Sequence, residues 1–343
     1  MARRKQQRKS KSRREKKREK APCNCVSDAA PGCHIANEDG AGWIVGIEAF
    51  DREEYGLSAD DPVPDISLDP NTGMLSVIND HSTLSRSYFL TTTHPVLDSD
   101  GRVLPAGTGR DEDGQDAAMT TLILVVRPLC IMEVGRVVVP QGKAVLQARY
   151  GEQVQLHSDV KEIRPHLRPQ QPVPPTRAFP FPLGGQGPFL CTQGFGGALT
   201  HFFGATWHAV DLECPVGTPI LAVADGVVVE VRDGNAVGGI ATRNLFLWNS
   251  VTIRTDGGVI VEYVHVAAGG AAVARGDRVA AGQVVAASGD VGFCPRPHLH
   301  IQVHESAEAD AETVPFVLLA ADGSPYVPKA GAWYGPSGPA PPP

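Results

Sequence analysis

The run of short apolar segments between residues 189 and 304 is the feature that most constrains the fold. The segments are rich in Val, Ile, Ala and Gly, as in PILAVADGVVVEV, SVTIRT, VIVEYVHV, QVVAASG and LHIQVHE. Turn sequences such as PVGT, DGNAVGG, TDGG and RGD separate them. This pattern is typical of closely connected antiparallel strands. We therefore predict an all-β domain here, within boundaries of 188–333.

A second set of strand-like segments lies upstream, between residues 39 and 145. GWIVGIEAF, MLSVI, SYFLTTT, TTLILVV and EVGRVVV alternate with DPNTG, DSDGR and GRDEDGQD. The pattern predicts a small N-terminal β domain, whose role the sequence leaves unknown. His81 and His94 are isolated within it, which favours loop or structural roles over metal binding.

The rest of the chain is predicted to be linker and termini. Residues 146–187 include the proline-dense stretch RPHLRPQQPVPPTRAFPFPLGG, which favours an extended, semi-rigid linker. Residues 334–343 end in PSGPAPPP and are predicted to be a flexible tail. With 343 residues, the chain is long enough for two domains that each bury a core.

The N-terminal 1–38 segment is predicted to be a basic, disordered leader. Its first twenty residues are almost all basic or polar, although the formal net charge of the chain is −7. Two interpretations stay open: a solvated leader, or a segment that contacts nucleic acid, an acidic partner or a nuclear import receptor. No apolar stretch resembles a secretory signal or a membrane span, and the sequence leaves the compartment undetermined.

The seven cysteines do not form a recognisable framework. APCNCVSDAAPGCH lacks a second pair of ligands at zinc-site spacing, which disfavours a zinc knuckle in the leader. The odd count also disfavours a fully paired set of disulfides.

Histidines are concentrated in the C-terminal half, and the pair in PHLHIQV has informative spacing. His298 and His300 flank Leu299, and residues two apart in a strand face the same side of the sheet. The two imidazoles can therefore serve one metal, or place a ligand beside an acid–base group. The alternative is an exposed polar face of an edge strand.

Asp211 and His265 complete the candidate set. Asp211 follows two histidines, His201 and His208, at short spacing. His265 lies in VEYVHV, where a buried structural histidine is the default interpretation. Two histidines and a carboxylate are nevertheless the ligand set of a catalytic zinc, which keeps a fourth position open.

The order of these blocks resembles the lysostaphin/LytM-type zinc metalloendopeptidases, which cut peptide bridges and stem peptides of peptidoglycan. The blocks are HAVDLECPVGTPILAVADG, NSVTI, YVHV, GDRVAAGQVVAASG and HLHI, and they lie between Gln193 and Glu305. The resemblance implies an antiparallel β peptidase domain, bound Zn²⁺, and a peptide or peptidoglycan substrate.

The resemblance also implies roles for individual residues. Asp211, His300 and an upstream histidine would be the zinc ligands, whereas His265 and His298 would form the non-ligand pair. One of that pair would take a proton from water, and the other would stabilise the oxyanion or protonate the leaving amine.

The upstream ligand is where the sequence departs from the commonest family pattern, H-x-x-x-D. His208 is three residues from Asp211, and in an extended strand an odd spacing puts them on opposite faces. Some relatives carry the ligand earlier, in a Q-G-x-x-G-x-x-x-H run that QGFGGALTH matches. His201 is therefore the favoured ligand, with His208 lining the cleft and His304 outside the coordination sphere.

Two functions remain open for the predicted C-terminal domain, and a third interpretation assigns the function of the chain to the basic leader, as a nucleic-acid or import signal. The first is an active zinc endopeptidase, which the presence of Asp211, His265, His298 and His300 favours. The second is an inactive binding or regulatory module on the same fold. The G-D-x-V-x-x-G-Q pattern also occurs in lipoyl carrier folds, but those need a lysine, and none lies between Phe189 and Glu305.

Overall fold

A computed structural model of the protein describes residues 32–36, 43–63, 65–69, 71–110, 115–138, 156–157, 161–164, 175, 177–185, 187–197, 199–201, 203–307 and 311–343. The predicted leader up to residue 31 and most of the predicted linker lie outside these residues. Within them the chain forms 26 strands and one short 3-10 helix, which confirms the all-β prediction. No helix in the described part of the chain has the length and apolar character needed to cross a membrane.

Eleven strands precede residue 165. They are β1 (Cys33–Ala36), β2 (Gly46–Ala49), β3 (Ile66–Leu68), β4 (Met74–Asn79), β5 (Ser85–Thr92), β6 (Val96–Leu97), β7 (Gly107–Arg110), β8 (Asp116–Val126), β9 (Cys130–Val137), β10 (Leu156–His157) and β11 (Lys161–Arg164).

Fifteen strands follow, with the 3-10 helix (Thr242–Phe246) among them. They are β12 (Arg177–Phe179), β13 (Phe189–Gln193), β14 (Val210–Glu213), β15 (Pro219–Leu221), β16 (Gly226–Arg232), β17 (Ser250–Thr255), β18 (Ile260–Val264), β19 (Val266–Ala271), β20 (Arg278–Val279), β21 (Val284–Ser288), β22 (His298–His304), β23 (Phe316–Leu319), β24 (Pro325–Tyr326), β25 (Trp333–Gly335) and β26 (Gly338–Ala340).

Two sheets form the N-terminal half. One has the order β1-β8-β5-β10, with β11 also paired to β5 and β7 to β8. The other has the order β2-β9-β4-β3, with β6 paired to β9. Leu75 on β4, Leu122 on β8 and Met132 on β9 belong to one buried cluster, so residues of both sheets share a single core.

Strands β5 and β8 are buried on both faces. Tyr88 and Leu90 on β5 join the core of the N-terminal half, whereas Phe89 between them belongs to a different buried cluster. Ile123 on β8 belongs to that second cluster as well. The continuous apolar run TTLILVV follows from this arrangement, since a strand covered on both sides has no solvent face to alternate with.

The second cluster joins the two halves of the protein. Phe89 stacks on Phe203, with ring centroids 5.7 Å apart, and meets Phe293 edge-on at 6.3 Å. Polar contacts accompany the rings, because Thr91 Oγ1 lies 2.8 Å from Thr242 Oγ1 at the start of the 3-10 helix. The N-terminal sheet therefore packs against the loops that carry Phe203 and Phe293.

The C-terminal half is organised around a nine-stranded sheet. Its order is β20-β16-β17-β18-β22-β14-β13-β25-β26, and every neighbouring pair is antiparallel. Two three-stranded sheets, β15-β21-β19 and β12-β23-β24, complete this half. Val251, Val261, Leu299 and Ile301 are among the fully buried residues of its core. The central strands β18, β22 and β14 bring distant parts of the chain side by side.

Strands extend beyond three of the predicted boundaries. Cys33–Ala36 lies in the predicted leader but pairs in parallel with β8. Arg177–Phe179 lies in the predicted linker but pairs with β23. The predicted flexible tail contains Gly338–Ala340, which pairs with Trp333–Gly335. Glycine, proline and charge lower strand propensity, but sheet edges accept such residues when a partner strand satisfies the backbone.

Tyr263 offers a test of the core around β18. Its hydroxyl accepts a hydrogen bond of 2.8 Å from the Val223 backbone N–H, and the side chain is buried. Tyr263→Phe is expected to lower the free energy of unfolding by about 1–3 kcal/mol, because it leaves this buried donor unpaired. Chemical denaturation measures the change.

Tyr326→Phe is the matched control for that experiment. Among the described residues, the Tyr326 hydroxyl is buried and has no hydrogen-bond partner. Its removal is expected to leave stability unchanged or slightly higher, because no bond is lost. Equal losses in the two variants would contradict the role assigned to the Tyr263 hydroxyl.

Candidate active site

The centre of the candidate site is a cross-strand pair on the nine-stranded sheet. Asp211 on β14 lies directly opposite His300 on β22. On the other side of β22, His300 is paired with Val264, the last residue of β18. Side chains of directly opposed residues extend from the same face of a sheet. The register thus brings together two predicted residues that are 89 positions apart in the chain.

His201 reaches this pair from the turn that precedes β14. Its Nε2 lies 3.1 Å from Asp211 Oδ1 and 3.2 Å from His300 Nδ1, and the last two atoms are 2.9 Å apart. The other ring nitrogen, Nδ1, lies 3.0 Å from the Gly194 carbonyl oxygen. All three side chains are buried, so their donor atoms converge on one point away from bulk water.

His265 and His298 lie beside this group. Their ring centroids are 4.4 Å apart, and His298 Nε2 is 3.6 Å from Asp211 Oδ1. His265 joins β18 to β19 with a φ of 61°, a left-handed conformation that is uncommon for residues other than glycine. Its Nδ1 hydrogen-bonds the Val291 carbonyl at 2.7 Å, which fixes the ring. Such backbone strain is often found at functional sites.

The other two histidines of this half lie elsewhere. His208 was expected to line the cleft, but its Nδ1 is 2.8 Å from the Thr313 carbonyl oxygen and its ring packs edge-on against Phe195. His304 Nδ1 is 2.9 Å from the carbonyl oxygen of Ala311. Both rings are therefore held by backbone carbonyl groups of residues 311–313. The structure places His201, not His208, beside Asp211.

The electrostatic balance of the group depends on Asp211. Burial alone would raise the pKa of Asp211, but the charges of His201 and His298 and hydrogen bonds from His201 and His300 hold it well below its usual range. Burial alone would lower the pKa of His300, yet the Asp211 charge and hydrogen bond outweigh burial and raise it. An ionised carboxylate is thus kept among imidazoles, which is the state a cation would bind.

The pKa values of His265 and His298 are lowered, in contrast to the raised pKa of His300. Burial, followed by the charges of His298 and His300, holds the pKa of His265 well below its ordinary value. Burial likewise lowers the pKa of His298, although Asp211 opposes the change. Both imidazoles are therefore neutral near pH 7, where a neutral ring is able to accept a proton.

Gln193 supports the site and was not among the predicted residues. Its Nε2 donates to Asp211 Oδ2 at 2.7 Å and to Thr200 Oγ1 at 3.0 Å. Its Oε1 accepts backbone N–H groups of Leu199 and Thr200, both at 3.1 Å. One side chain thereby ties the carboxylate to the turn that carries His201. The sequence signal was the QG block itself, which contributed only to the choice of ligand.

Gln302 and Glu262 form a second support. His300 Nε2 lies 3.0 Å from Gln302 Oε1, and Gln302 Nε2 donates to Glu262 Oε2 at 2.8 Å. This chain fixes the His300 ring, so that Nδ1 is directed at Asp211. Gln302 is two residues from His300 on β22, and period-two spacing would have predicted its shared face.

Gln302→Leu is expected to weaken metal binding at this group by about 10–100-fold, the usual cost of removing the partner of a metal-binding histidine. Zinc affinity measured by competition with a chelator gives the change. Gln283→Leu, at an exposed glutamine, is the control and is expected to bind zinc as the parent does. Unchanged affinity in Gln302→Leu would mean that the Glu262–Gln302 chain does not orient His300.

Three donors of this kind fit a zinc ion. Two imidazole nitrogens and one carboxylate oxygen are a known catalytic zinc set, and the three residues form a group whose ligand atoms all lie within 4.8 Å of one another. A second such group, His265, Cys294 and His298, adjoins the first. A groove of about 500 Å³ reaches the site, and Phe203, Trp248 and Phe293 are among its lining residues.

Comparison with known families now identifies the C-terminal part of the chain. Residues 205–311 match the model described as Peptidase family M23. They are a peptidase family M23 domain. Asp211, His265, His298 and His300 lie inside the matched range, whereas His201 lies just before it. The resemblance seen in the sequence is thereby confirmed.

Characterised relatives of the M23 domain are endopeptidases by name. The chain is 33% identical to glycyl-glycine endopeptidase ALE-1 of Staphylococcus capitis over 125 residues, which are 35% of this chain and 32% of that protein. It is 32% identical to lysostaphin of Staphylococcus simulans over 124 residues, 35% of this chain and 23% of that protein. It is 36% identical to peptidoglycan DD-endopeptidase ShyC of Vibrio cholerae over 95 residues, 28% of this chain and 19% of that protein. The chain therefore spans about a third or less of these relatives.

Solved structures similar to the M23 domain include the catalytic domain of lysostaphin from Staphylococcus simulans. That comparison covers 38% of this chain and 85% of the other, at 27% sequence identity and a TM-score of 0.26. Another is the catalytic domain of the prophage-encoded M23 protein EnpA from Enterococcus faecalis, which covers 39% of this chain and 94% of the other, at 24% identity and a TM-score of 0.30.

Proposed function

We propose that the M23 domain is a zinc-dependent endopeptidase that hydrolyses peptide bonds in peptidoglycan cross-bridges or stem peptides, or in glycine-rich peptides. The observation that carries the proposal is the convergence of His201, Asp211 and His300, whose nearest donor atoms are 2.9–3.2 Å apart. A buried carboxylate held between two imidazoles, with two further imidazoles adjacent, is a costly arrangement for a core that only needs to be stable.

His201, Asp211 and His300 would hold the zinc ion. When bound, zinc would supply Lewis-acid activation of a water molecule and of the scissile carbonyl. Gln193 keeps Asp211 in place from one side, and Gln302 orients His300 from the other. The ligands therefore need little rearrangement on binding, which favours tight coordination.

His265 and His298 would move protons. The Nδ1 of His265 hydrogen-bonds Val291, so its Nε2 remains for the reaction. The low pKa of each ring, which burial causes, keeps it neutral and able to accept a proton from water. The other ring would then hydrogen-bond the developing oxyanion or protonate the leaving amine.

A small cavity beside the histidines supports substrates with small side chains. It measures about 30 Å³, room for one or two water molecules, and Asp211, His265 and His298 line it with Thr200 and Phe293. A glycine or the methyl group of an alanine fits such a space, whereas a large side chain does not. The names of the relatives, a glycyl-glycine endopeptidase and a peptidoglycan DD-endopeptidase, agree with this choice.

The test is digestion of purified peptidoglycan and of a pentaglycine-type peptide by the full chain, with and without a chelator. We expect new amino termini, loss of activity on chelation and recovery on adding zinc. His298→Ala is expected to retain zinc but to lose turnover by about 100–10,000-fold, the contribution of a positioned acid or base. His304→Ala, on the same strand but bonded to Ala311, is the matched control and should remain active.

The main alternative is an inactive module on the same fold, which binds peptide without cleaving it. The complete set of donors and the neutral histidine pair argue against it. A protein that carries one equivalent of zinc, binds peptidoglycan and yields no new amino termini from either substrate would establish that alternative and end the proposal of an endopeptidase.

A further inference from the structure

A second potential metal-binding group adjoins the first. His265, Cys294 and His298 each offer one ligand atom, and these atoms all lie within 4.8 Å of one another. Three different segments supply them: the junction of β18 and β19, the loop between β21 and β22, and the start of β22. All three side chains are buried, so the cluster is an interior feature rather than a surface coincidence.

The contacts of Cys294 direct its sulfur into this group. Its Sγ lies 3.3 Å from His298 Nδ1 and donates to the Arg296 carbonyl oxygen at 2.9 Å. The His265 ring, with its centroid 4.4 Å from that of His298, has Nε2 uncommitted because Nδ1 is bonded to Val291. His298 Nδ1 also donates to the Arg296 carbonyl oxygen at 2.7 Å, so Nε2 is the nitrogen of each ring that is left for a metal.

The donor set differs in chemistry from the neighbouring group. His201, Asp211 and His300 combine imidazoles with a carboxylate oxygen, whereas His265, Cys294 and His298 combine imidazoles with a thiol. Thiolate ligands favour soft ions such as Zn²⁺ and Cd²⁺ over Mg²⁺, Ca²⁺ and Mn²⁺. We propose that His265, Cys294 and His298 form a second metal site, which binds a soft divalent cation such as Zn²⁺ or Cd²⁺ through the Cys294 thiolate.

Binding at this site requires no oxidant or reductant. The Cys294 S–H bond breaks, its proton leaves to the solvent buffer, and the sulfur lone pair forms the bond to the metal. The two imidazoles donate nitrogen lone pairs. Burial keeps the pKa of the free thiol well above its ordinary value, so the metal-free protein carries the proton that binding releases.

The two groups are close enough to form a pair of metal sites. His298 Nε2 of the second group is 3.6 Å from Asp211 Oδ1 of the first. A cation in the second site occupies His265 and His298, the two rings that would transfer protons during hydrolysis. The second metal is therefore an inhibitor of the peptidase; this part of the inference rests on the proposed function, whereas metal binding itself does not.

Cadmium is the probe for the test, because its bond to a thiolate gives a charge-transfer absorption in the ultraviolet. The experiment uses the full chain in a background with Cys23→Ser and Cys25→Ser, which removes two potential thiolate ligands that are two positions apart in the sequence. We expect two equivalents of Cd²⁺ and a thiolate band. Cys294→Ser should lose one equivalent and the band, with affinity for that equivalent reduced at least about 100-fold, more than outer-sphere changes usually cost.

Two further variants locate the signal. Cys130→Ser, at a free cysteine of the N-terminal half, is the matched control and should keep both equivalents and the band. Asp211→Asn should lose the other equivalent and keep the band. Cadmium NMR tests the site with Cys294 unchanged. We expect two cadmium resonances: one with the chemical shift of an ion bound by a single sulfur, from the second site, and one with the shift of an ion bound only by nitrogen and oxygen, from the first.

Persistence of the band in Cys294→Ser, or a cadmium spectrum without a sulfur-shifted resonance, would overturn the second site. The inhibitory arm uses the peptide assay: excess Zn²⁺ should slow cleavage by the parent and by Cys130→Ser, but not by Cys294→Ser. A parent without peptidase activity would remove the proposed function and this arm, yet would leave the cadmium result standing.

Discussion

Asp211→Asn is expected to leave the protein without bound zinc and without detectable peptidase activity. Asp211 is the one carboxylate in the group, and its Oδ1 lies within 3.1 Å of nitrogen atoms on both His201 and His300. Exchange for an amide keeps the shape but removes the negative charge that draws in a cation. We expect zinc affinity to fall by more than about 100-fold, because even outer-sphere partners are worth 10–100-fold. Metal analysis after dialysis and the peptide assay measure the two losses.

Glu213→Gln is the matched control for Asp211→Asn. Glu213 lies two residues further along β14, carries the same charge and is paired with the exposed Arg296 at 3.4 Å. Its loss should leave zinc content and activity near those of the parent, since exposed ion pairs contribute little. Retention of one tight zinc equivalent in Asp211→Asn would show that Asp211 is not a ligand and would remove the basis of the proposed function.

Phe89→Ala is expected to lower the free energy of unfolding of the N-terminal half by about 3–5 kcal/mol, the usual cost of deleting a buried phenylalanine ring. Phe89 has no exposed surface and contacts both Phe203 and Phe293 across the junction of the two halves. Its removal leaves a cavity that neither sheet fills. Chemical denaturation reports the loss, and hydrogen exchange of β5 and of the 3-10 helix shows whether the junction opens.

Phe246→Ala is the control for Phe89→Ala. This phenylalanine belongs to the 3-10 helix but is 59% exposed, so its deletion should change stability by no more than about 0.5 kcal/mol. Faster exchange confined to β5 and the 3-10 helix in Phe89→Ala is the expected pattern. A loss of under 1 kcal/mol, with exchange unchanged at both segments, would contradict the packing described for the junction.

Sequence spacing predicted the strands of the site better than its turns. His298 and His300 lie on β22 as period-two spacing required, and Asp211 lies on β14. The parity argument against His208 assumed extended backbone before Asp211, whereas β14 begins at Val210 and turns precede it. His208 is instead turned away by its hydrogen bond to Thr313. The prediction of His201 used both this parity argument and the QG block, and only the QG block is independent of the backbone conformation before Asp211.

Residue spacing alone could not predict that Gln193 and Cys294 lie at the site. Gln193 meets Asp211 because β13 and β14 are paired with an irregular register, which is decided by tertiary packing. Cys294 lies near His265 because the loop between β21 and β22 packs against the end of β18, where the Val291 carbonyl oxygen bonds the His265 ring. Contacts between segments so far apart depend on the order of strands in the sheet, and local patterns do not encode that order.

Burial of β5 and β8 on both faces has a consequence for cutting the protein into parts. A fragment truncated to the M23 domain would present Phe203 and Phe293 to water, and the detached N-terminal half would present Phe89 and Ile123. Newly bared apolar patches of this kind promote self-association and poor solubility. Recombinant production of either fragment therefore calls for polar substitutions at these junction residues, which are buried in the intact chain.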